Sequence, residues 1–121
     1  MKTALVIEDT ADNMELITFI LQANGFGAER AWTGQEGLDK VAATSPDFII
    51  LDIQLPDMKG TEVLERLQEM EETRAIPVIA MTSNVMAGDR EKLMAAGCVG
   101  YIAKPIDPYL VMSQINEIIG E

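Results

Sequence analysis

The chain contains no histidine and a single cysteine, Cys98, in 121 residues. The first absence excludes Ser–His and Cys–His catalysts and any histidine-ligated metal, and it leaves the chain unable to act as its own phosphohistidine donor. The second excludes an intramolecular disulfide, so Cys98 reads as a core thiol in a reducing compartment. Basic residues are scarce: 9 Lys and Arg stand against 20 Asp and Glu, for a formal net charge of -11. That balance argues against nucleic-acid backbone and anionic membrane surfaces as partners. It suits solubility, a bound cation or a basic partner patch. No apolar run reaches the roughly 18 residues of a membrane span, and no signal segment is present, so the expectation is a soluble, cytoplasmic protein. Repeats and linkers are missing too. What remains is one domain over residues 1–121, 48% hydrophobic and 24% charged, an ordinary globular composition.

Against this background one stretch stands out, Phe48-Ile49-Ile50-Leu51-Asp52-Ile53-Gln54-Leu55-Pro56. A run of large apolar residues reads as a strand buried on both faces, and it ends in a lone carboxylate before Pro56 and Gly60 turn the chain. Four further runs read as strands: Thr3–Ile7, closed by Glu8-Asp9; Gly27–Ala31; Pro77–Met81, ending in Thr82-Ser83-Asn84; and Tyr101–Ala103, followed by Lys104-Pro105. Helical patterns separate them. Met14, Ile17, Ile20 and Leu21 stripe the first, which Asn24-Gly25 stops. Thr33-x-x-Glu36 is a capping box for the second, with Leu38 and Val41 inward. Val63, Leu64, Leu67 and Met70 line the third, with Glu71–Arg74 as its tail. The fourth, Val85 to Ala96, is weakly patterned and ends at Gly97. The fifth opens with Asp107 as N-cap and Pro108 at its first position, and carries Leu110, Val111, Ile115, Ile118 and Ile119. Met81, Met86 and Met94 read as core.

Strands alternating with helices predict right-handed crossovers and an α/β, doubly wound, flavodoxin-like fold: a five-stranded parallel sheet of order 2-1-3-4-5 with five helices. In that order the strand-ending groups Glu8, Asp9, Asp52, Thr82 and Lys104 meet at one crevice. Each alone has a plain structural reading. Asp52 could cap a turn, Glu8-Asp9 a helix, and Lys104 could snorkel from a strand end. Together they make a chemical set. Clustered carboxylates repel and raise one another's pKa unless a cation is present, and hard oxygen donors suit Mg2+. Lys104 can bind a phosphoryl oxygen as a point charge, and Thr82 can donate to another. Those are the parts of phosphoryl transfer, with Asp52 as nucleophile.

The set Glu8-Asp9, Asp52, Thr82 and Lys104-Pro105, with Leu55-Pro56 and Gly60 after the aspartate, resembles the receiver domain of bacterial two-component response regulators over the whole chain. The resemblance implies a phosphorelay role: a histidine kinase or histidine phosphotransfer protein presents a phosphohistidine, and the receiver moves the phosphoryl group to its own Asp52. It implies that Asp9, Asp52 and the backbone carbonyl of Gln54 ligate Mg2+, with Glu8 at an outer acidic position acting through water. It makes Thr82 and Tyr101 a switch pair, Lys104 the phosphoryl-binding cation, and the Lys104-Pro105 peptide cis. Phosphorylation would remodel the face built by the fourth helix, fifth strand and fifth helix for a downstream protein target. Kinase recognition would use the first helix, around Met14 to Leu21, and the loop near Ile106. Self-phosphorylation and self-dephosphorylation would be the only catalysis. Glu8 departs from the commoner aspartate and Ser83 from the commoner alanine, while Gln54 and Asn84 occupy variable flanking positions. The stretch from Met86 to Asp107 is similar to stand-alone regulators of the DivK kind and also to receivers in hybrid kinases or multidomain regulators; with no output domain in view, both forms stay open. Two other classes fit poorly. An aspartate-nucleophile phosphatase needs an acid where Gln54 stands. A flavodoxin-like carrier needs a phosphate-cradling loop where Glu8-Asp9-Thr10-Ala11-Asp12 is acidic.

Overall fold

The computed structural model describes residues 2–83 and 87–120, without the side chains of 87–89. Asn84, and Val85 and Met86 of the fourth expected helix, lie outside the described residues. Strands β1 (Thr3–Ile7), β2 (Gly27–Ala31), β3 (Phe48–Asp52), β4 (Val78–Thr82) and β5 (Gly100–Ala103) form one sheet in the order β2-β1-β3-β4-β5. Every pairing is parallel. The helices are α1 (Ala11–Ala23), α2 (Gly34–Thr44), α3 (Gly60–Glu69), α4 (Glu71–Arg74), α5 (Ala87–Ala96) and α6 (Val111–Ile119).

Strand alternation sorts the core into two layers. Leu5, Ile7, Ile49, Leu51, Val78 and Ala80 face α2, α3 and α5, where Leu38, Val41, Val63, Leu64, Leu67 and Leu93 meet them. Ala4, Val6, Phe48, Ile50, Ile79 and Met81 face α1 and α6, against Met14, Ile17, Leu21, Val111 and Ile115. All five residues of β3 are buried, as are all five of β4. A strand covered on both faces cannot shift register without exposing large apolar groups, each worth about 1.5–3 kcal/mol when buried. The position of Asp52 is therefore set by the rest of its strand.

Turn chemistry fixes the strand entries. Gly25, at φ 85°, closes α1: its N–H donates to the Gln22 carbonyl at 3.1 Å and the Phe26 N–H to that of Leu21 at 3.0 Å, a Schellman motif. Gly97 and Cys98 repeat the arrangement after α5, donating to Met94 and Leu93. Thr33 caps α2 by accepting the Glu36 N–H at 3.1 Å.

Four expectations change. The tail of the third helix is a separate helix, making six among the described residues: Met70 is extended (ψ 129°), and α4 reaches back to cap α3. The Thr73 hydroxyl donates to the Leu67 carbonyl at 2.6 Å and Arg74 Nε to that of Gln68 at 3.0 Å, satisfying carbonyls left over at the helix end. Met70 itself is exposed, as is Met94. β4 starts at Val78 because Pro77 has no N–H for the ladder, although its carbonyl accepts from Ile49. Asp107 does cap a turn, accepting the Tyr109 N–H at 2.9 Å, but α6 proper begins at Val111 and Leu110 stays exposed.

Candidate functional site

The register carries four side chains to one edge of the sheet. Ile7 lies beside Leu51, and Glu8 continues β1, its N–H donating to the Ala31 carbonyl at 3.0 Å. Asp52 pairs with Met81, Thr82 with Ala103, and the Lys104 N–H donates to the Thr82 carbonyl at 2.9 Å. Glu8, Asp52, Thr82 and Lys104 thus stand at the carboxyl ends of β1, β3, β4 and β5, where open parallel sheets place their sites. The Lys104-Pro105 peptide is cis.

Glu8 and Asp52 are buried, and Asp9 is exposed. One carboxylate oxygen from each of the three lies within 4.8 Å of the others, so among the described residues they form a group able to hold a metal ion. At that separation two charges repel by about 3 kcal/mol at an effective dielectric near 20. Lys104 offsets part of this: its Nζ lies 3.1 Å from Asp52 Oδ2 and 3.3 Å from Glu8 Oε2. The Gln54 N–H donates to Asp52 Oδ1 at 3.0 Å. Burial pushes the Asp52 carboxyl above its ordinary range, and the Glu8 charge adds to that, against the opposing pull of Gln54 and Lys104. For Lys104 burial pulls downward, but the hydrogen bond and charge of Asp52, joined by Glu8, hold the ammonium above its usual value. It stays charged.

Glu8 and Asp9 differ in exposure. Glu8 continues β1 inward at 0% exposure, and Asp9 is the one turned to solvent. Glu8 Oε2 is buried without a hydrogen-bond partner, its contact with Lys104 being an ion pair only. A buried orphan acceptor among three acids, with carboxylate oxygens as the only ligand atoms of the group among the described residues, suits a hard divalent cation.

Tyr101 stands apart from the carboxylates. It is opposite Ala80, half-buried, with the Arg90 guanidinium over its ring at 5.5 Å to the centroid. Ser83 is exposed. Two polar residues not singled out from sequence also belong to the region. Asn13 Nδ2, in the first turn of α1, donates back to Glu8 Oε1 at 3.3 Å. Asp57, just after Pro56, accepts the Gly34 and Gln35 N–H groups at 2.8 and 3.0 Å, tying the loop after β3 to the start of α2. Gly60 lets that loop close, since a Cβ there would lie 2.6 Å from Ile53 Cα and 3.0 Å from the Asp52 carbonyl oxygen.

Comparison with known proteins gives a consistent picture. Residues 4–116 match the family model described as "Response regulator receiver domain". The polar-differentiation response regulator DivK of Brucella ovis is 39% identical over 120 residues, covering 99% of this chain and 98% of that protein. The chemotaxis protein CheY4 of Vibrio cholerae superposes with a TM-score of 0.93 at 24% identity, over 98% of each chain, a likeness of fold. The receiver domain of a sensor histidine kinase from Pseudomonas aeruginosa, described with a magnesium ion coordinated in its active-site cleft, superposes with a TM-score of 0.87 at 28% identity, over 99% of this chain and 98% of that one.

Proposed function

The chain belongs to the response regulator receiver domain family, and from that premise we propose that it takes a phosphoryl group from a phosphohistidine onto Asp52, with Mg2+, and signals through protein contacts. The observation that carries the reading is a buried Asp52 within 3.1 Å of Lys104 and within 4.8 Å of two more carboxylates. A nucleophile held that way has no solvent shell to shed and a counter-charge already in place.

Asp52 attacks phosphorus through a carboxylate oxygen; the new P–O bond forms as the P–N bond to the donor imidazole breaks, and the imidazole leaves with the bonding pair. With no histidine among these 121 residues, the phosphohistidine comes from outside them, on a histidine kinase or a phosphotransfer protein. Lys104 exchanges its carboxylate partner for a phosphoryl oxygen. Thr82, at the end of the neighbouring strand, donates to another. The Gln54 N–H keeps Asp52 Oδ1 oriented. Mg2+, held by Asp9, Asp52 and the Gln54 carbonyl with Glu8 beside them, would neutralise the charge that a phosphoryl group brings to an acidic site. The cytoplasm is the compartment this reading implies.

Drawing Thr82 toward the phosphoryl group opens space beside Tyr101, whose ring then turns inward from Arg90 and changes the face formed by α5, β5 and α6. Met14, Ile17 and Leu21 are buried, so the part of α1 open to a kinase is its outer face around Phe19, 70% exposed. Across the α6 entry Tyr109 is 91% exposed. Acetyl phosphate and Mg2+ test the chemistry directly. The wild-type chain acquires one acid-stable, hydroxylamine-labile phosphoryl group, and Asp52→Asn or EDTA abolishes it. Label that survives Asp52→Asn would place the acceptor elsewhere.

A further inference from the structure

The two oxygens of Glu8 are treated unequally. Oε1 collects three donors: the Thr10 N–H at 3.3 Å, Asn13 Nδ2 at 3.3 Å and Lys104 Nζ at 3.4 Å. Oε2 is buried with no hydrogen-bond partner. A carboxylate with one face saturated and the other vacant presents a fixed direction of free lone pairs. The vacant oxygen lies 3.3 Å from the Lys104 ammonium, which a bound phosphoryl group would draw away.

Of the three donors, the Thr10 amide belongs to the chain's path into α1, and Lys104 belongs to the phosphoryl chemistry. Asn13 is the remaining one, a half-buried side chain at the start of α1 whose amide donates to Glu8 Oε1 and carries no charge of its own. A glutamate has one more rotatable bond than an aspartate, so its carboxylate needs an external hold to keep one orientation.

We infer that Asn13 is a positioning residue for the divalent cation: its amide fixes Glu8 Oε1 so that Oε2 faces the site. The inference rests on the cation reading above and adds a residue to it. Partners that orient a metal-ligating group without touching the metal typically change affinity by about 10–100-fold when removed. Asn13→Leu keeps the branching of the side chain and does not lower helix preference, but it cannot donate.

The test is calorimetric titration of Mg2+ into the wild-type chain, Asn13→Leu, Glu8→Asp and the double variant, with urea midpoints in EDTA. Asn13→Leu is expected to weaken Mg2+ binding about tenfold while leaving the metal-free urea midpoint unchanged. In the Glu8→Asp background, where the shorter carboxylate is withdrawn from the amide, the same substitution is expected to change affinity less than twofold. The Asn13 side-chain amide resonances of the wild-type chain are expected to shift on Mg2+ addition. Wild-type affinity in Asn13→Leu, an equal loss in the Glu8→Asp background, or a loss matched by a fall in metal-free stability would each overturn the inference. A wild-type chain that binds no Mg2+ at millimolar concentration would overturn the cation reading itself, and this inference with it.

Discussion

Replacing Asp52 by Asn is expected to stabilise the metal-free protein while ending its function. The Coulomb terms at the site nearly oppose each other. At an effective dielectric near 20, attraction to Lys104 at 3.1 Å is about 5 kcal/mol and repulsion from Glu8 at about 5 Å about 3 kcal/mol. Neutralising Asp52 therefore forfeits about 2 kcal/mol of attraction. Against that stands the desolvation of a carboxylate only 2% exposed, several kcal/mol for a buried ion. The amide oxygen of Asn keeps the bond from the Gln54 N–H. The balance favours the neutral side chain by about 1–3 kcal/mol.

The direction of the Asp52 shift agrees. A carboxyl raised in the folded state, through burial first and then the Glu8 charge, contributes stability below its unfolded pKa and loses it as pH rises through the folded value. The variant has no such loss, so its advantage should be absent in acid and full at neutral pH. Urea unfolding in EDTA reads it as a higher midpoint at unchanged slope, or a melting temperature raised by about 3–5 °C per kcal/mol. Mg2+ at ten times its dissociation constant should return about 1.4 kcal/mol to the wild-type chain and less to the variant, narrowing the gap. A lower urea midpoint for Asp52→Asn at pH 7 in EDTA would refute the reasoning, because the Lys104 pair would then outweigh desolvation and repulsion together.

Gly60→Ala should destabilise by about 1–3 kcal/mol and slow phosphorylation by acetyl phosphate, since its Cβ would meet Ile53 Cα at 2.6 Å and the Asp52 carbonyl oxygen at 3.0 Å, the backbone of the acceptor itself; a gain of stability from helix propensity would show that the loop yields. Asp57→Ala should cost about 1 kcal/mol, the scale of a lost helix cap. Backbone donors from Gln35 and Gly34 hold the Asp57 carboxyl below its usual range, so that contribution is present above the unfolded pKa and lost as pH falls through the folded one; wild type and variant should converge in acid in urea titrations. Burial raises the Cys98 thiol, so labelling by a neutral-pH thiol reagent should be limited by unfolding and should accelerate with urea; fast labelling of the native chain would put the thiol at the surface.

The strands and their order were readable because their signals are redundant. β3 announces itself by an unbroken apolar run, α1 and α5 by glycines that must adopt positive φ, α2 by Thr33, and the crossover rule then leaves little choice of topology. The misread elements depended on contacts that sequence spacing does not carry. The break at Met70 comes from Thr73 and Arg74 capping the carbonyls of Leu67 and Gln68, which costs the periodic pattern nothing until the coordinates show it. Met94 follows buried Leu93 in a weakly patterned helix and Leu110 precedes α6, and both lie exposed, since apolar character alone does not fix where the core ends. Glu8-Asp9 was legible as a pair of acids, but which of the two turns inward depends on the register of β1 past Ile7.

The same comparison explains why the site stands out from the scaffold. Elsewhere local preference and packing largely agree: buried strands are apolar, Gly25, Gly97 and Gly120 take positive φ at helix ends, and Thr33 caps α2. At the carboxyl edge of β1 and β3 they disagree, because two buried acids share one ammonium and one acid oxygen has no hydrogen-bond partner. A chain selected for stability alone would neutralise that edge. The proposed function sets two requirements that fit this arrangement: a species outside the chain that supplies positive charge and consumes the orphan acceptor, and a use for Asp52 that a neutral side chain cannot serve. A divalent cation meets the first requirement and a phosphoryl group the second, so the stability given up in the metal-free state measures how strongly the site is built for both.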